Sequence, residues 1–183
     1  MKSKIVYDVA HNGDVQCSSD CCNEILLLLH FSSLLRQDGF PITSLREISV
    51  LKKCRHANIV NLLDVVVGKK RDGIFLVFEY CEHDLSSLLT AFKNPFSESE
   101  IKCLIIQLLS ALEYVHENYI IHRDIKLSNL LYNNQGVLKI ADFGLARSYS
   151  DPPVLMTRTV VTLWYRSPEL LLGDTDYTVG ETP

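Results

Sequence analysis

Residues 121–129 read Ile121-His122-Arg123-Asp124-Ile125-Lys126-Leu127-Ser128-Asn129, and the triplet Asp142-Phe143-Gly144 follows shortly after them. The two stretches bring two carboxylates, an ammonium group and a side-chain amide close together along the chain. A third stretch, Trp164-Tyr165-Arg166-Ser167-Pro168-Glu169, lies downstream. A surface Asp-Lys pair beside an ordinary turn would explain the first stretch alone. It does not explain three motifs in this order and at this spacing.

These stretches resemble the catalytic loop, the magnesium-binding turn and the motif that closes the activation segment of protein kinases. Ser167 stands where the commoner form of the third motif has Ala. The resemblance implies a Ser/Thr protein kinase that transfers the γ-phosphate of ATP and uses Mg²⁺. It also implies an α+β, protein-kinase-like fold in incomplete form, with a partial N-lobe β-sheet carrying one helix and a mainly α-helical partial C-lobe.

The same resemblance assigns the catalytic roles. Asp124 would orient the incoming hydroxyl and accept its proton, and Lys126 would lie near the moving phosphate. Asn129 and Asp142 would bind Mg²⁺. Thr162 would contact Asp124 and Lys126, which is typical of kinases that act on Ser or Thr.

The segment Phe78-Glu79-Tyr80-Cys81 resembles the kinase hinge. Backbone groups of Glu79 and Cys81 would then bind adenine, and Phe78 would close the back of the pocket. Asp84 would face the ribose, and Leu131 would lie under the adenine ring. Ordinary strand packing for Phe78 and a plain core position for Leu131 are the alternatives.

The resemblance becomes narrower at Gly39-Phe40-Pro41-Ile42-Thr43-Ser44-Leu45-Arg46-Glu47. This segment is similar to the cyclin-recognition helix of cyclin-dependent kinases of the PISSLRE/PITSLRE-type branch, in the CMGC group. It implies a cyclin of the L or M type as the partner of the helix around Pro41–Glu47, protein substrates, and a role in cell-cycle or transcription regulation. Nuclear and/or cytoplasmic localisation is expected from the same resemblance.

The activation segment is predicted to run from Asp142 to Glu169. Thr157 matches the threonine that an activating kinase phosphorylates in cyclin-dependent kinases. A phosphate there would gain charge-assisted hydrogen bonds from an arginine cluster. The resemblance nominates Arg46, Arg123 and Arg147 for it, and three separate solvated arginines are the alternative.

Two expected features are missing from the sequence. A phosphate-covering loop needs a Gly-x-Gly-x-x-Gly run, but no two of the eight glycines lie within four residues of each other. The N-lobe lysine that contacts the α/β-phosphates should pair with Glu47. No lysine occurs between Lys4 and Lys52, so Glu47 has no partner of the expected kind.

The predicted organisation follows from these matches. Residues 1–38 form an atypical segment that does not match the family, and residues 39–183 form a partial kinase domain. Within it, 39–83 are the N-lobe remainder and hinge, and 84–183 are a C-lobe part that is truncated after the activation segment. The alternative function is a catalytically impaired fragment that acts only as a cyclin-binding or decoy protein, or an incomplete gene model.

Composition agrees with a globular domain. The chain has 183 residues, of which 47% are hydrophobic and 22% charged. Its net charge of −4 gives no sign of nucleic-acid binding. The six cysteines are expected to be free thiols, because Cys17, Cys21 and Cys22 lack the paired spacing of a zinc site. The apolar run 25–31 is too short to span a membrane and is wrongly placed for a signal peptide.

Periodicity predicts the main elements. A helix is expected over Thr43–Cys54, and β-rich runs over Asn58–Val67 and Gly73–Tyr80. A second helix is predicted over Ser97–Glu117, because Ser97 and Glu100 form a capping box. Its apolar stripe comprises Ile101, Leu104, Ile105, Leu108, Leu112 and Val115. Short strands are expected around the Asn133–Gly136 turn, and a hairpin near Val6-Tyr7 with Asn12-Gly13 at its turn.

Overall fold

The computed structural model describes residues 7–9, 15–17, 25–31, 42–67, 74–91, 96–149, 160–173, 175 and 177. The chain divides into two units. The first comprises residues 1–42 and 61–80, and the second comprises residues 43–60 and 81–183.

The described part of the first unit is made of antiparallel strands. They are β1 (Tyr7–Val9), β2 (Val15–Cys17), β3 (Ile25–Phe31), β4 (Leu62–Val67) and β5 (Ile74–Glu79). β1 and β2 pair with Tyr7 opposite Cys17, which confirms the predicted hairpin, although its Asn12-Gly13 turn lies outside the described residues. β5 lies between β3 and β4. Its Leu76, Val77 and Phe78 are buried, so this central strand reads as a continuous apolar run.

The predicted start of the fourth strand, at Asn58, is wrong. β4 begins at Leu62, because the preceding residues make hydrogen bonds within the second unit instead. The Val60 N–H donates to the Ile140 carbonyl at 2.9 Å, and the Ile140 N–H donates to the Asn58 carbonyl at 2.9 Å. A local run of β-forming residues does not indicate which sheet it joins, since pairing depends on residues far along the chain.

The second unit carries most of the helices. Its elements are α1 (Ile42–Lys53, which begins at the boundary of the units), β6 (His83–Asp84), α2 (Leu85–Ala91), α3 (Glu98–Glu117), β7 (Ile120–Ile121), β8 (Leu130–Tyr132), β9 (Leu138–Ile140), β10 (Arg147–Ser148) and α4 (Pro168–Leu171). β8 lies between β6 and β9, and β7 pairs with β10. Both long predicted helices are confirmed to within one residue at each end.

Helix α3 begins where the sequence predicts. The Ser97 side chain accepts from the Glu100 N–H at 3.4 Å, and the Glu100 carboxylate accepts from the Ser97 N–H at 2.7 Å. This reciprocal capping box satisfies two backbone donors that the first helical turn leaves unpaired.

We expect Ser97→Ala to lower the free energy of unfolding by about 1 kcal/mol, because the N-cap oxygen is lost. Urea denaturation followed by far-ultraviolet circular dichroism measures the change. Ser97→Thr is the matched control, since threonine keeps a hydroxyl group at the capping position. An equal loss in the two variants would contradict the capping assignment.

The apolar stripe of α3 is only partly buried among the described residues. Ala111, Leu112 and Val115 lie in the core, whereas Ile101 and Ile105 are 44% and 48% exposed. The N-terminal part of the stripe instead lines an apolar groove of about 340 Å³. The groove is lined by Leu85, Leu89, Phe96, Ile101, Leu104, Ile105, Leu108, Leu127, Leu130 and Leu138.

Gln107 connects α3 to the turn between β8 and β9. Its Oε1 accepts from Asn58 Nδ2 and from the Leu138 N–H, both at 2.9 Å, and its Nε2 donates to the Gly136 carbonyl at 3.1 Å. Gly136 has a φ of 82°, which suits glycine at this turn. β9 follows this turn and leads to Asp142. The hydrogen bonds of Gln107 therefore hold the start of the strand that precedes Asp142.

Within the described ranges, no helix is long and apolar enough to cross a membrane. Cys54, Cys81 and Cys103 form no disulfide, as predicted.

Candidate active site

The loop that carries Asp124 starts from a buried strand. In β7, Ile120 and Ile121 are almost fully inaccessible. Arg123 then adopts a left-handed φ of 67°, a conformation that costs energy for a residue other than glycine. Its side chain holds this turn, because Nε donates to the Leu145 carbonyl at 2.7 Å and Nη1 donates to the Tyr177 hydroxyl at 3.1 Å.

The Asp124 carboxylate receives four hydrogen bonds. Oδ1 accepts from the backbone N–H and the hydroxyl of Thr162, at 3.1 and 2.7 Å. Oδ2 accepts from Lys126 Nζ at 2.7 Å and from Asn129 Nδ2 at 3.1 Å. Lys126 also donates to the Thr162 hydroxyl at 3.2 Å, so the predicted contact of Thr162 with both residues is present.

These bonds keep Asp124 charged although it is only 5% exposed. Burial alone would raise the pKa of its carboxyl group, but the hydrogen bonds from Lys126 and Thr162 and the charge of Lys126 outweigh burial and lower it. The four hydrogen bonds also fix the orientation of the carboxylate.

Asn129 links the loop to the strand that leads to Asp142. Its Nδ2 also donates to the Asp124 carbonyl at 2.9 Å, and its own carbonyl accepts from the Ala141 N–H at 2.9 Å. Asp142 follows directly, with a left-handed φ of 62° and an exposed side chain whose Oδ1 accepts from the Gly144 N–H at 3.3 Å. The structure therefore brings Asp124, Lys126, Asn129, Thr162 and Asp142 into one region of the second unit.

The donor chemistry of this region fits Mg²⁺. Asp142 offers an exposed carboxylate, and Asn129 uses its nitrogen for internal bonds, which leaves its amide oxygen as a ligand. No group of three or more His, Cys, Asp or Glu side chains in the described residues could hold a metal by itself. Mg²⁺ commonly binds through one or two protein oxygens and completes its shell with water and substrate phosphates.

His122 connects the loop that carries Asp124 to the residue before Asp142. The Asp124 N–H donates to its Nδ1 at 3.3 Å, so the ring proton sits on Nε2 and is donated to the Ala141 carbonyl at 3.0 Å. The ring packs edge-on against Phe143, with 4.7 Å between ring centroids. Burial lowers the pKa of His122 to about 4, because the nearby carboxylates of Asp142 and Asp124 do not compensate for the lost solvation.

We expect His122 to make the fold sensitive to acid. The unfolded histidine binds a proton below about pH 6.5 and the folded one only near pH 4, so its contribution to stability falls as pH falls through this window. Relative to His122→Gln, which does not titrate, the wild-type chain should lose on the order of 3 kcal/mol between pH 7 and pH 4.

Urea denaturation of both proteins at several pH values measures this difference. The comparison with the variant is needed because Glu47 has the opposite effect. Its pKa is raised, so its contribution to stability falls as pH rises, over a pH range that overlaps with that of His122. Parallel pH profiles of the two proteins would refute the assignment to His122.

A family model described as the protein kinase domain matches residues 31–181. The chain belongs to the protein kinase family. It is 59% identical over 144 residues to the probable cyclin-dependent kinase 10 of Dictyostelium discoideum and 54% identical over 158 residues to human cyclin-dependent kinase 10. It is 52% identical over 157 residues to cyclin-dependent kinase G-2 of Oryza sativa subsp. japonica. The predicted resemblance to kinases and to the cyclin-dependent type is therefore confirmed.

These alignments cover most of the chain but less than half of each relative. They include 79%, 86% and 86% of this kinase chain, and 39%, 44% and 22% of the Dictyostelium, human and rice proteins. The kinase chain thus spans only part of the length of the curated relatives it matches.

The nucleotide-binding residues predicted for the kinase are divided between the units. In the first unit, Phe78 is buried, and Glu79 bonds Asn61 through its N–H at 3.1 Å and its carboxylate at 2.8 Å. In the second unit, Cys81 is half-buried, and Asp84 lies opposite Leu131 in the β6–β8 pair. Asp84 also caps α2, since its Oδ1 accepts from the Ser87 N–H at 2.9 Å. Their roles in binding ATP stay predictions.

Glu47 is a buried carboxylate without a hydrogen-bond partner for one of its oxygens in the described part of the chain. Its side chain, from α1, is 2% exposed, and Oε1 has no hydrogen-bond partner among the described residues. Burial, followed by the charge of Asp142, raises the pKa of its carboxyl group to about 7. The sequence indicated that the expected lysine is missing, but only the structure places Glu47 beside Asp142.

The predicted phosphothreonine site is mostly outside the described residues. Thr157 and the side chain of Arg46 belong to that part of the chain. Arg123 is buried and holds the turn that carries Asp124, and Arg147 is half-buried in β10. The arginine cluster of the kinase stays a prediction.

Sequence reasoning missed two positioning residues, His122 and Gln107. His122 lies inside the quoted stretch 121–129, so the motif could have identified it. Its burial could not be predicted from the sequence. Gln107 lies on a helix with no motif around it, and nothing in the sequence indicated the hydrogen bonds that it makes.

Proposed function

We propose that this chain is the catalytic part of a cyclin-dependent Ser/Thr kinase, which transfers the γ-phosphate of ATP to protein hydroxyl groups. The observation that carries the proposal is the Asp124 carboxylate, held by Lys126, Asn129 and Thr162, with Asn129 also bonded to the backbone of Ala141 next to Asp142. The similarity to kinases named cyclin-dependent supports the type.

The four bonds to Asp124 suggest how the residues act. All acceptor positions of the carboxylate are filled, so a substrate hydroxyl must displace one donor. We expect Lys126 to be the donor that moves away. Its side chain is 26% exposed and, unlike those of Asn129 and Thr162, it is long, flexible and ends in an ammonium group. Lys126 then neutralises charge on the moving phosphate, while Thr162 and Asn129 keep Asp124 oriented to accept the proton.

Magnesium, when bound, neutralises charge on the phosphates and fixes their orientation. Asp142 and Asn129 are the residues proposed to hold it. Thr162 ties the end of the activation segment to Asp124, so displacement of this segment would also misplace the catalytic carboxylate.

The proposed partners follow from the resemblance. A cyclin, of the L or M type, would bind the helix around Pro41–Glu47, where Leu45 of α1 is 53% exposed. An activating kinase would phosphorylate Thr157. Nuclear and/or cytoplasmic localisation is proposed on the same ground.

One observation bears on the non-catalytic alternative, a cyclin-binding or decoy protein. Glu47 has no cationic side chain beside it among the described residues, and the sequence has no lysine between Lys4 and Lys52. Losing one charge-assisted contact to the phosphates costs about 1.5 to 3 kcal/mol, so we expect slow turnover rather than none. The comparisons do not favour the alternative.

The test is a radiometric phosphorylation assay on the purified chain with an L-type or M-type cyclin, Mg²⁺·ATP and a Ser/Thr-containing protein substrate. A chimera in which the human relative supplies the sequences flanking residues 42–177 is the positive control. Phosphorylation that depends on Asp124 in both proteins supports the proposal. An active chimera with a chain that binds cyclin but transfers no phosphate would establish the non-catalytic alternative.

A further inference from the structure

A buried carboxylate of α1 lies next to the exposed carboxylate of the Asp142 turn. An added Cβ at Gly144 would lie 3.2 Å from Asp142 Oδ1 and 4.0 Å from Glu47 Oε2. Because both distances start from one point, the two oxygens are no farther apart than their sum, about 7.2 Å. Gly144, which has no Cβ, therefore lies against both acidic groups, and a side chain there would crowd Asp142.

Glu47 is left without compensation in this arrangement. It is 2% exposed, and its Oε1 has no hydrogen-bond partner in the described part of the chain. An isolated buried carboxylate is strongly unfavourable, so such groups are paired, protonated or bound to a metal. Lys52 and Lys53, the nearest lysines along α1, are exposed to solvent.

We propose that Glu47 and Asp142 together bind a divalent cation of the Mg²⁺ or Mn²⁺ type, with Glu47 as a direct ligand. Carboxylate oxygens are the ligands that these cations prefer. A cation bound by both carboxylates would compensate both charges, and Glu47 would no longer be a buried carboxylate without a partner. Water and phosphate oxygens would complete the octahedral shell from the exposed side of Asp142.

This site differs from one formed by Asp142 and Asn129 alone, because it includes Glu47 of helix α1 as a ligand. Cation binding would therefore connect α1 to the Asp142 turn within the second unit. The proposal does not depend on phosphoryl transfer, and its test measures binding.

The experiment uses the full chain and Mn²⁺ as the probe. Electron paramagnetic resonance counts free Mn²⁺ in titrations without nucleotide and with a non-hydrolysable ATP analogue. Thermal unfolding by circular dichroism gives a second readout. The variants are Glu47→Gln and Asp142→Asn, and Glu113→Gln, which alters an exposed carboxylate on α3, is the control.

We expect Glu47→Gln to weaken Mn²⁺ binding at least tenfold and to remove most of the Mn²⁺-induced rise in Tm, as Asp142→Asn does. Glu113→Gln should behave like the wild-type chain. A loss seen without nucleotide identifies the free cation as the ligand, and a loss seen only with the analogue identifies the nucleotide-bound cation. Wild-type binding by Glu47→Gln in both titrations overturns the proposal.

Folding of the variant is checked by its circular dichroism spectrum. Gln is nearly the same size as Glu and carries no charge, so the cation-free variant should unfold at the same temperature as the wild-type chain or higher. If Glu47→Gln fails to fold, Mn²⁺ binding by Glu47→Asp is measured instead. Its shorter side chain should weaken a direct ligand, while Asp142 itself is unchanged. Mn²⁺ binding through Glu47 without any phosphorylation would contradict the proposed function and leave this site intact.

Discussion

Asp124→Asn is expected to lower the rate of phosphate transfer by about 10²- to 10⁴-fold, because the group proposed as general base is lost. Both carboxylate oxygens accept hydrogen bonds from donors, Oδ1 from Thr162 and Oδ2 from Lys126 and Asn129. The amide of the variant must turn its NH₂ group towards one of these donors. The substitution therefore removes the base and also disturbs the residues that orient it.

The measurement is the initial rate of substrate phosphorylation with the cyclin-bound chain at saturating Mg²⁺·ATP. Asp64→Asn is the matched control, since Asp64 is exposed on β4 in the first unit, where its carboxylate accepts from the N–H of the neighbouring Val65. The control should keep the wild-type rate. Unchanged activity in Asp124→Asn, with a folded circular dichroism spectrum, would mean that a contaminating kinase or another site is responsible.

Phe143→Ala is expected to lower the free energy of unfolding of the second unit by about 3 to 5 kcal/mol. Phe143 is fully buried and is the largest of the described side chains that are inaccessible to solvent. Its removal leaves a cavity beneath the Asp142 turn and takes away the edge-on contact with His122. Since His122 supports the Asp124 loop, phosphate transfer should fall as well.

Urea denaturation followed by far-ultraviolet circular dichroism gives the free energy. Trp164→Ala is the control for removing a large aromatic side chain, because Trp164 is 92% exposed. We expect that control to stay within about 0.5 kcal/mol of the wild-type chain. A loss below about 1 kcal/mol in Phe143→Ala would show that this region is not cooperatively packed.

Local elements were predictable wherever a signal lies within one turn of helix or a few residues of chain. The capping box of Ser97 and Glu100 is such a signal, and α3 begins where it indicates. The turn at Asn133–Gly136 is another, since Asn133 Oδ1 accepts from the N–H groups of Gln135 and Val137. The start of β4 was not predictable, because residues 58–60 join Ile140, far along the chain.

Backbone conformation in the site follows the packing and not local preference. Arg123, Asp142 and Val161 all have positive φ, which is unfavourable for side chains other than glycine and most of all for a β-branched one. Val161 keeps this conformation because it is 4% exposed in a cluster with Ile121, Val160, Leu170 and Tyr177. Its carbonyl also accepts from Arg166 Nε at 3.0 Å. Such strain persists only where the surrounding structure holds it.

The sequence by itself determined the family, the long helices and the residues that carry the proposed chemistry, because these depend on residue types at fixed spacing. Only the tertiary structure decided which of these groups are paired and which are not. It gives Asp124 four donors and leaves Glu47 Oε1 with none. The reason is physical: charge compensation and burial depend on segments that are distant in sequence and meet only when the second unit folds.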